Sequence, residues 1–184
     1  CLPILVTGGI HMDGYLDTVD ALSSHQTREK KLAIMKDANC GAFAVIYGGV
    51  YLLAYAGFAY EVFAAGHILL LCPLFVLSRA LSGLCAVNLP NARKSGMLCA
   101  FTSGVQRRTA TAALALVGLV AAAGMVWMSP VVGGMAAAFA VASALVYCRF
   151  AMAQFGGVTG DTSGFFLQLC ELCGLIGVWI GGLL

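Results

Sequence analysis

The stretch TGGIHMDGYLDTVDA, residues 7–21, holds Asp13, Asp17 and Asp20 in a chain with only eight acidic residues. Their spacing is i, i+4, i+7, so on a helix turning about 100° per residue they fall within roughly 60° of one face. An aspartate at a helix centre in a bilayer costs about 2.5–3.5 kcal/mol, and three like charges also repel. Something cationic should compensate them. Oxygen donors grouped this way suit Mg²⁺ or Mn²⁺ rather than zinc. His11 lies roughly 160° from Asp13 on the same helix and reads as a packing or interfacial residue.

A second group sits in GGVTGDTSGFFLQLCELCG, residues 156–174. Asp161 and Thr162 open the last apolar run, and Asp161 can cap its helix. Gly164, Gln168 and Glu171 follow within about 80° of Asp161. Glu171 lies inside an apolar helix, where an unpaired carboxylate is strongly disfavoured. This group reads as a second ligand set facing the first. A third group is basic. Arg79 interrupts an apolar run, so its guanidinium should pair with a carboxylate or a phosphate. Arg93 and Lys94 lie in LPNARKSG, and Arg107 and Arg108 precede the next apolar run. TREKKLAIMKD reads as an interfacial amphipathic helix whose lysines meet anionic headgroups. Asp37 follows it and could join the metal site. Cys170 and Cys173 form a C-x-x-C, but within an apolar helix they read as small hydrophobes.

The elements that must position these groups follow from composition. The chain has 184 residues, 61% hydrophobic and only 10% charged, where soluble domains carry roughly a quarter charged residues. Long apolar runs alternate with short polar ones, as in a polytopic membrane protein. Spans are expected at 41–60, 62–84, 109–128, 130–148 and 164–184. Residues 1–12 read as the end of a further span, truncated because the chain opens on Cys1. The expected fold is therefore an all-α, polytopic integral membrane bundle, and 1–184 form a single membrane-embedded catalytic domain. Polar stretches 21–40, 88–108 and 149–163 then share one face with all ten basic residues. The positive-inside rule makes that face cytoplasmic. Only Glu61 among the acids falls on the other side. Residues 109–148, dense in Ala and Gly, read as scaffold.

No Walker loop, Rossmann glycine motif, Ser-His-Asp order or nucleic-acid-binding basic patch is present. A cytoplasm-facing site with several carboxylates, a divalent cation and arginines favours chemistry on a phosphate or diphosphate. Two other readings share some of these features. A CDP-alcohol-type phosphotransferase would need D-G-x-x-A-R, but Tyr15, Leu16 and Asp17 follow Asp13-Gly14. An ion-coupled transporter could use GGVTG as a helix break, but its far side would offer only tight turns and Glu61.

TGGIHMDGYLDTVDAL, IMKDANCGAFAV, LSRALSG with LPNARKSG, and GGVTGDTSGFFLQLCEL resemble the cobalamin synthases, the adenosylcobinamide-GDP ribazoletransferases. The resemblance runs from about residue 5 to about 180. It implies an Mg²⁺-dependent integral enzyme of the bacterial or archaeal cell (inner) membrane, working late in cobalamin (vitamin B12) assembly. Such an enzyme joins adenosylcobinamide-GDP to α-ribazole, or its 5′-phosphate, and releases GMP. On that reading Asp13, Asp17 and Asp161 hold the metal, and Asp20 or Glu171 accepts the hydroxyl proton. Arg79 and Arg93 clamp phosphate, and Lys36, Asp37, Thr162 and Gln168 contact substrate. The implied partners are those two substrates and the lipid bilayer, with no nucleic acid and room for a homo-oligomer. Family members carry an N-terminal portion that this chain lacks, and often an aromatic where Asn91 stands.

Overall fold

A computed structural model describes residues 2–37, 39–93 and 96–184; Cys1 and Lys94 lie outside them. Among the described residues the chain is all-α, with one isolated parallel bridge between Asn91 and Val158. Four short helices, α1 (Leu2–Val6), α2 (Ile10–Ser23), α3 (Arg28–Ile34) and α6 (Met97–Thr102), accompany five long ones. The long ones are α4 (Ala42–Ala64), α5 (Leu71–Asn88), α7 (Arg107–Met128), α8 (Pro130–Phe155) and α9 (Gly160–Gly182). A 3₁₀ turn, Ile68–Leu70, extends α5 to a span of 21 residues. All five are long and apolar enough to cross a membrane. The protein is a polytopic integral membrane bundle.

Two boundaries differ from the expected ones. Residues 1–12 are not one helix end. The chain turns at Thr7-Gly8-Gly9, with φ of 62° at Gly8 and 80° at Gly9, a conformation only glycine adopts readily. The carboxylate-bearing α2 starts after that turn. Secondly, most of 149–163 is helical. RFAMAQF continues α8 with good helix formers, and Gly156, left-handed at φ 75°, ends it. Arg149 is therefore an exposed residue inside α8. Arg79 lies inside α5, as its place in an apolar run leads one to expect, nine residues before Asn88 and roughly 13 Å of helix deep.

The polar connections do share one end of the bundle. The Ala92 N–H donates to the Val158 carbonyl and the Val158 N–H to the Pro90 carbonyl, each at 2.9 Å. Lys31 Nζ donates to Gln154 Oε1 at 2.6 Å, which docks α3 on the end of α8. At the other end, Glu61 is exposed near the end of α4, and Trp127 is 91% exposed near the end of α7, where interfacial aromatics anchor spans.

The helix α9 is central: 61% of its apolar window is buried, against 17% for α4 and for α7. It lies along α8 through small residues. A Cβ on Gly177 would come within 2.8 Å of Ala136 Cα, and Ala136, Ala140 and Ala144 are buried. In lipid, such close backbone approach replaces hydrophobic collapse as the source of helix association. The contact that places chemistry is the crossing of α2 over α9. A Cβ on Gly14 would sit 2.7 Å from the Asp161 carbonyl oxygen, and one on Gly164 2.9 Å from the His11 carbonyl oxygen. Backbone cannot yield there as a side chain could.

Gly164→Val should therefore lose about 1–3 kcal/mol of stability and separate the two helices, read as a lowered detergent melting temperature. Gly49→Ala, whose new Cβ would meet nothing within 4 Å, should leave the melting temperature unchanged or raise it.

Candidate active site

The start of α9 is held by a reciprocal cap. Thr159 Oγ1 accepts from the Thr162 N–H at 3.1 Å, and Thr162 Oγ1 accepts from the Thr159 N–H at 2.8 Å. This corrects two expectations. Asp161 is not the cap, so its carboxylate faces outward. Thr162 is fully buried and also meets the Tyr147 hydroxyl at 3.1 Å, so in this structure its hydroxyl serves the helix start and not the cleft.

Asp161 Oδ2 instead accepts from Arg93 at 2.8 Å. A second guanidinium nitrogen of Arg93 donates to the Leu32 carbonyl at 3.1 Å, tying the post-α5 loop to α3. From the other side α2 presents Asp13. A cleft of about 380 Å³ opens between them. Its polar floor holds His11, Asp13, Arg93 and Asp161. Asp17 lies one turn along α2 from Asp13, and its carboxyl is pushed up to about 6. Burial is the largest cause, followed by the charges of Asp13 and Asp161, with Arg93 opposing.

This donor set is chemically suited to a hard divalent cation. It consists of carboxylate oxygens whose mutual repulsion a single guanidinium leaves uncompensated. Its geometry is open: among the described residues no three His, Cys, Asp or Glu side chains stand close enough to hold a metal together.

The other sequence-derived candidates lie elsewhere. Both oxygens of Asp20 are engaged by the start of α4, accepting from the Gly41 N–H at 2.5 Å and the Ala44 N–H at 2.8 Å. Asp20 is therefore an anchor for α4, which does not fit a free proton acceptor. Glu171, ten residues and roughly 15 Å of helix deeper than Asp161, pairs with Arg79. The second acidic group is thus split, with only Asp161 facing α2. The Arg79 guanidinium meets a carboxylate, as its place in an apolar run required, and it also donates to Ser78 at 2.8 Å. Gln168 is buried, accepts from the Tyr51 hydroxyl at 2.5 Å, and does not line the cleft. Lys36 and Asp37 are exposed beyond α3 and do not line the cleft. Asp37 is occupied locally, accepting from the Asn39 backbone N–H at 3.0 Å and from its side-chain amide at 2.8 Å.

Sequence reasoning missed His11 and Asn91, which both line the cleft. The angular argument set His11 apart because it treated α2 alone. In the bundle α9 and the loop after α5 curl around that edge of α2, so a residue off the aspartate face still reaches the cleft.

Fold and site together define a polytopic membrane protein with an acidic, arginine-braced cleft at the shared end of its spans. The chain belongs to the cobalamin-5-phosphate synthase family, which matches residues 1–179. It is similar to curated relatives named adenosylcobinamide-GDP ribazoletransferase. One from Lachnoclostridium phytofermentans is 40% identical over 93% of this chain and 65% of its own length. One from Clostridium botulinum is 30% identical over 95% of this chain and 69% of its own length. One from a Sinorhizobium species is 34% identical over 91% of this chain and 66% of its own length. The chain therefore spans about two thirds of the length of these relatives. No solved structure matches it.

Breaking the deep ion pair tests its place in the fold. Arg79→Ala should destabilise the bundle by about 3 kcal/mol, by leaving Glu171 buried and unpaired. The Arg79→Met, Glu171→Leu double variant should recover most of that loss in a detergent unfolding assay.

Proposed function

We propose that this chain joins adenosylcobinamide-GDP to α-ribazole, or its 5′-phosphate, and releases GMP, with 1–184 acting as one catalytic unit. The observation that carries the reading is the meeting of Asp13, Arg93 and Asp161 in one cleft, in a chain of this family. The ligands of a Mg²⁺ would come from Asp13, Asp17 and Asp161, which would have to draw closer than the open arrangement seen here to share one ion. When bound, it would neutralise diphosphate charge and stabilise the leaving GMP phosphate.

The residues of the chain divide the remaining work. Arg93, held on one side by Asp161 and on the other by the Leu32 carbonyl, is positioned to take a phosphate oxygen. Asp13, exposed, and Asp161, half-buried, both line the cleft and would bracket the diphosphate. Neither Asp20 nor Glu171 is proposed as proton acceptor, since α4 occupies the first and Arg79 the second. The basic residues gathered at the cleft end favour a cytoplasmic orientation.

The direct test uses purified protein in nanodiscs with both substrates and Mg²⁺, following GMP and the corrin product by chromatography. GMP release that requires the metal, and falls about a hundredfold or more in Asp13→Asn and Asp161→Asn, is the expected result. Undiminished turnover in both variants would sink the assignment.

A pH prediction follows from Asp17. Its carboxyl sits at about 6, so below that value protons compete with the cation for it. Mn²⁺ affinity, read by electron paramagnetic resonance, should rise from pH 5 to pH 7 and level off above. Asp17→Asn should flatten that rise.

A further inference from the structure

The cleft lining is mixed. Beside the charged groups and the polar side chains of Asn91, Thr159 and Ser163 it carries an apolar wall of Ile10, Leu98, Phe101, Val158 and Leu167, which have no side-chain hydrogen-bonding group. Phe101 is the large aromatic of that wall, on α6, and is 72% exposed. The position of α6 is fixed from the cleft side. Asn91 Nδ2 donates to Thr102 Oγ1 at 3.0 Å, and the Asn91 backbone is itself bridged to Val158. The chain leaves the helix through Gly104 at φ 85°. The ring is thus set on a braced element at the rim, one side of it available.

We propose that this wall is the platform for the base of the incoming α-ribazole, with Phe101 stacking on the ring. The inference rests on the function proposed above. Three properties select this occupant among the flat groups of the two substrates. A cleft of about 380 Å³ is at the small end of the range that encloses one drug-sized ligand, a closer match to a single flat base than to the far larger corrin macrocycle. Guanine and adenine carry exocyclic amines and several ring acceptors, each of which needs a partner when buried. The benzimidazole of α-ribazole has no N–H, presents two flat apolar faces, and keeps a single ring-nitrogen acceptor to satisfy. Its position next to the Asp13–Arg93–Asp161 floor also directs the attached ribose hydroxyls toward the diphosphate, which the attack requires.

The test is equilibrium binding to the full chain in nanodiscs, measured separately for each substrate so that turnover is not needed. Phe101→Ala should weaken α-ribazole binding about tenfold or more, Phe101→Tyr should stay within about threefold of the parent, and adenosylcobinamide-GDP binding should not change with either. Unchanged α-ribazole affinity in Phe101→Ala overturns the platform while leaving the proposed function standing. So does an equal loss for both substrates, which marks Phe101 as a structural or membrane-anchoring residue. A parent chain that binds neither substrate overturns the functional reading and the platform with it.

Discussion

The approach of α2 to α9 is the constraint on which the site depends. At Gly14 and Gly164 the two backbones meet with no room for a Cβ. That contact brings the aspartates of α2 against the start of α9, where the Thr159–Thr162 cap has already turned Asp161 outward. Association in lipid has no hydrophobic term to draw on, so van der Waals contact of bare backbone supplies the energy. It also fixes position more tightly than side-chain packing would, because backbone atoms cannot change rotamer. Positional accuracy is what a site assembled from separate helices needs most.

The scarce carboxylates are divided among different tasks, and each task has its own source of compensation. Asp20 is neutralised by backbone N–H groups at the start of α4, which carry the positive end of that helix dipole. Glu171 is neutralised by Arg79 deep in the bundle. Asp161 shares Arg93 with the Leu32 carbonyl. Asp13 and Asp17 form no ion pair among the described residues, and burial, reinforced by the charges of Asp13 and Asp161, raises the Asp17 carboxyl to about 6. Negative charge is thus left uncompensated on the α2 side of the cleft and compensated at Asp20, Glu171 and Asp161.

The scaffold behind the cleft follows the same economy of side chains. The helix α9 is gripped along α8 by Ala136, Ala140 and Ala144 on one side and by glycines on the other. The rigid pair carries the polar connections at one end, where α3 is fastened by Lys31 to Gln154 and the post-α5 loop by its backbone to Val158. Loops that hold chemistry are thereby tied to helices packed backbone against backbone.

The sequence by itself determined the all-α membrane architecture, the spans to within a few residues, the common end of the polar connections, and the Asp13–Asp17 and Asp161 groups as partners. These are set by composition and by helical angle, which are local quantities and legible in one dimension. The family resemblance was legible too, because its motifs are contiguous runs. Which carboxylate faced which cation was decided only in the tertiary structure. On α2, Asp20 shares the aspartate face, yet the return of the chain at Gly41 claims it. On α9, Glu171 shares the face of Asp161, yet the depth of Arg79 in α5 claims that one. Gln168 on that face and Thr162 beside it at the helix start offered polar groups until Tyr51 and the helix cap took their hydrogen bonds. His11 reached the cleft because neighbouring elements wrap the edge of α2. Helical angle says which residues share a side. Only the packing of other helices against that side says which of them still has a free hydrogen-bonding group to offer.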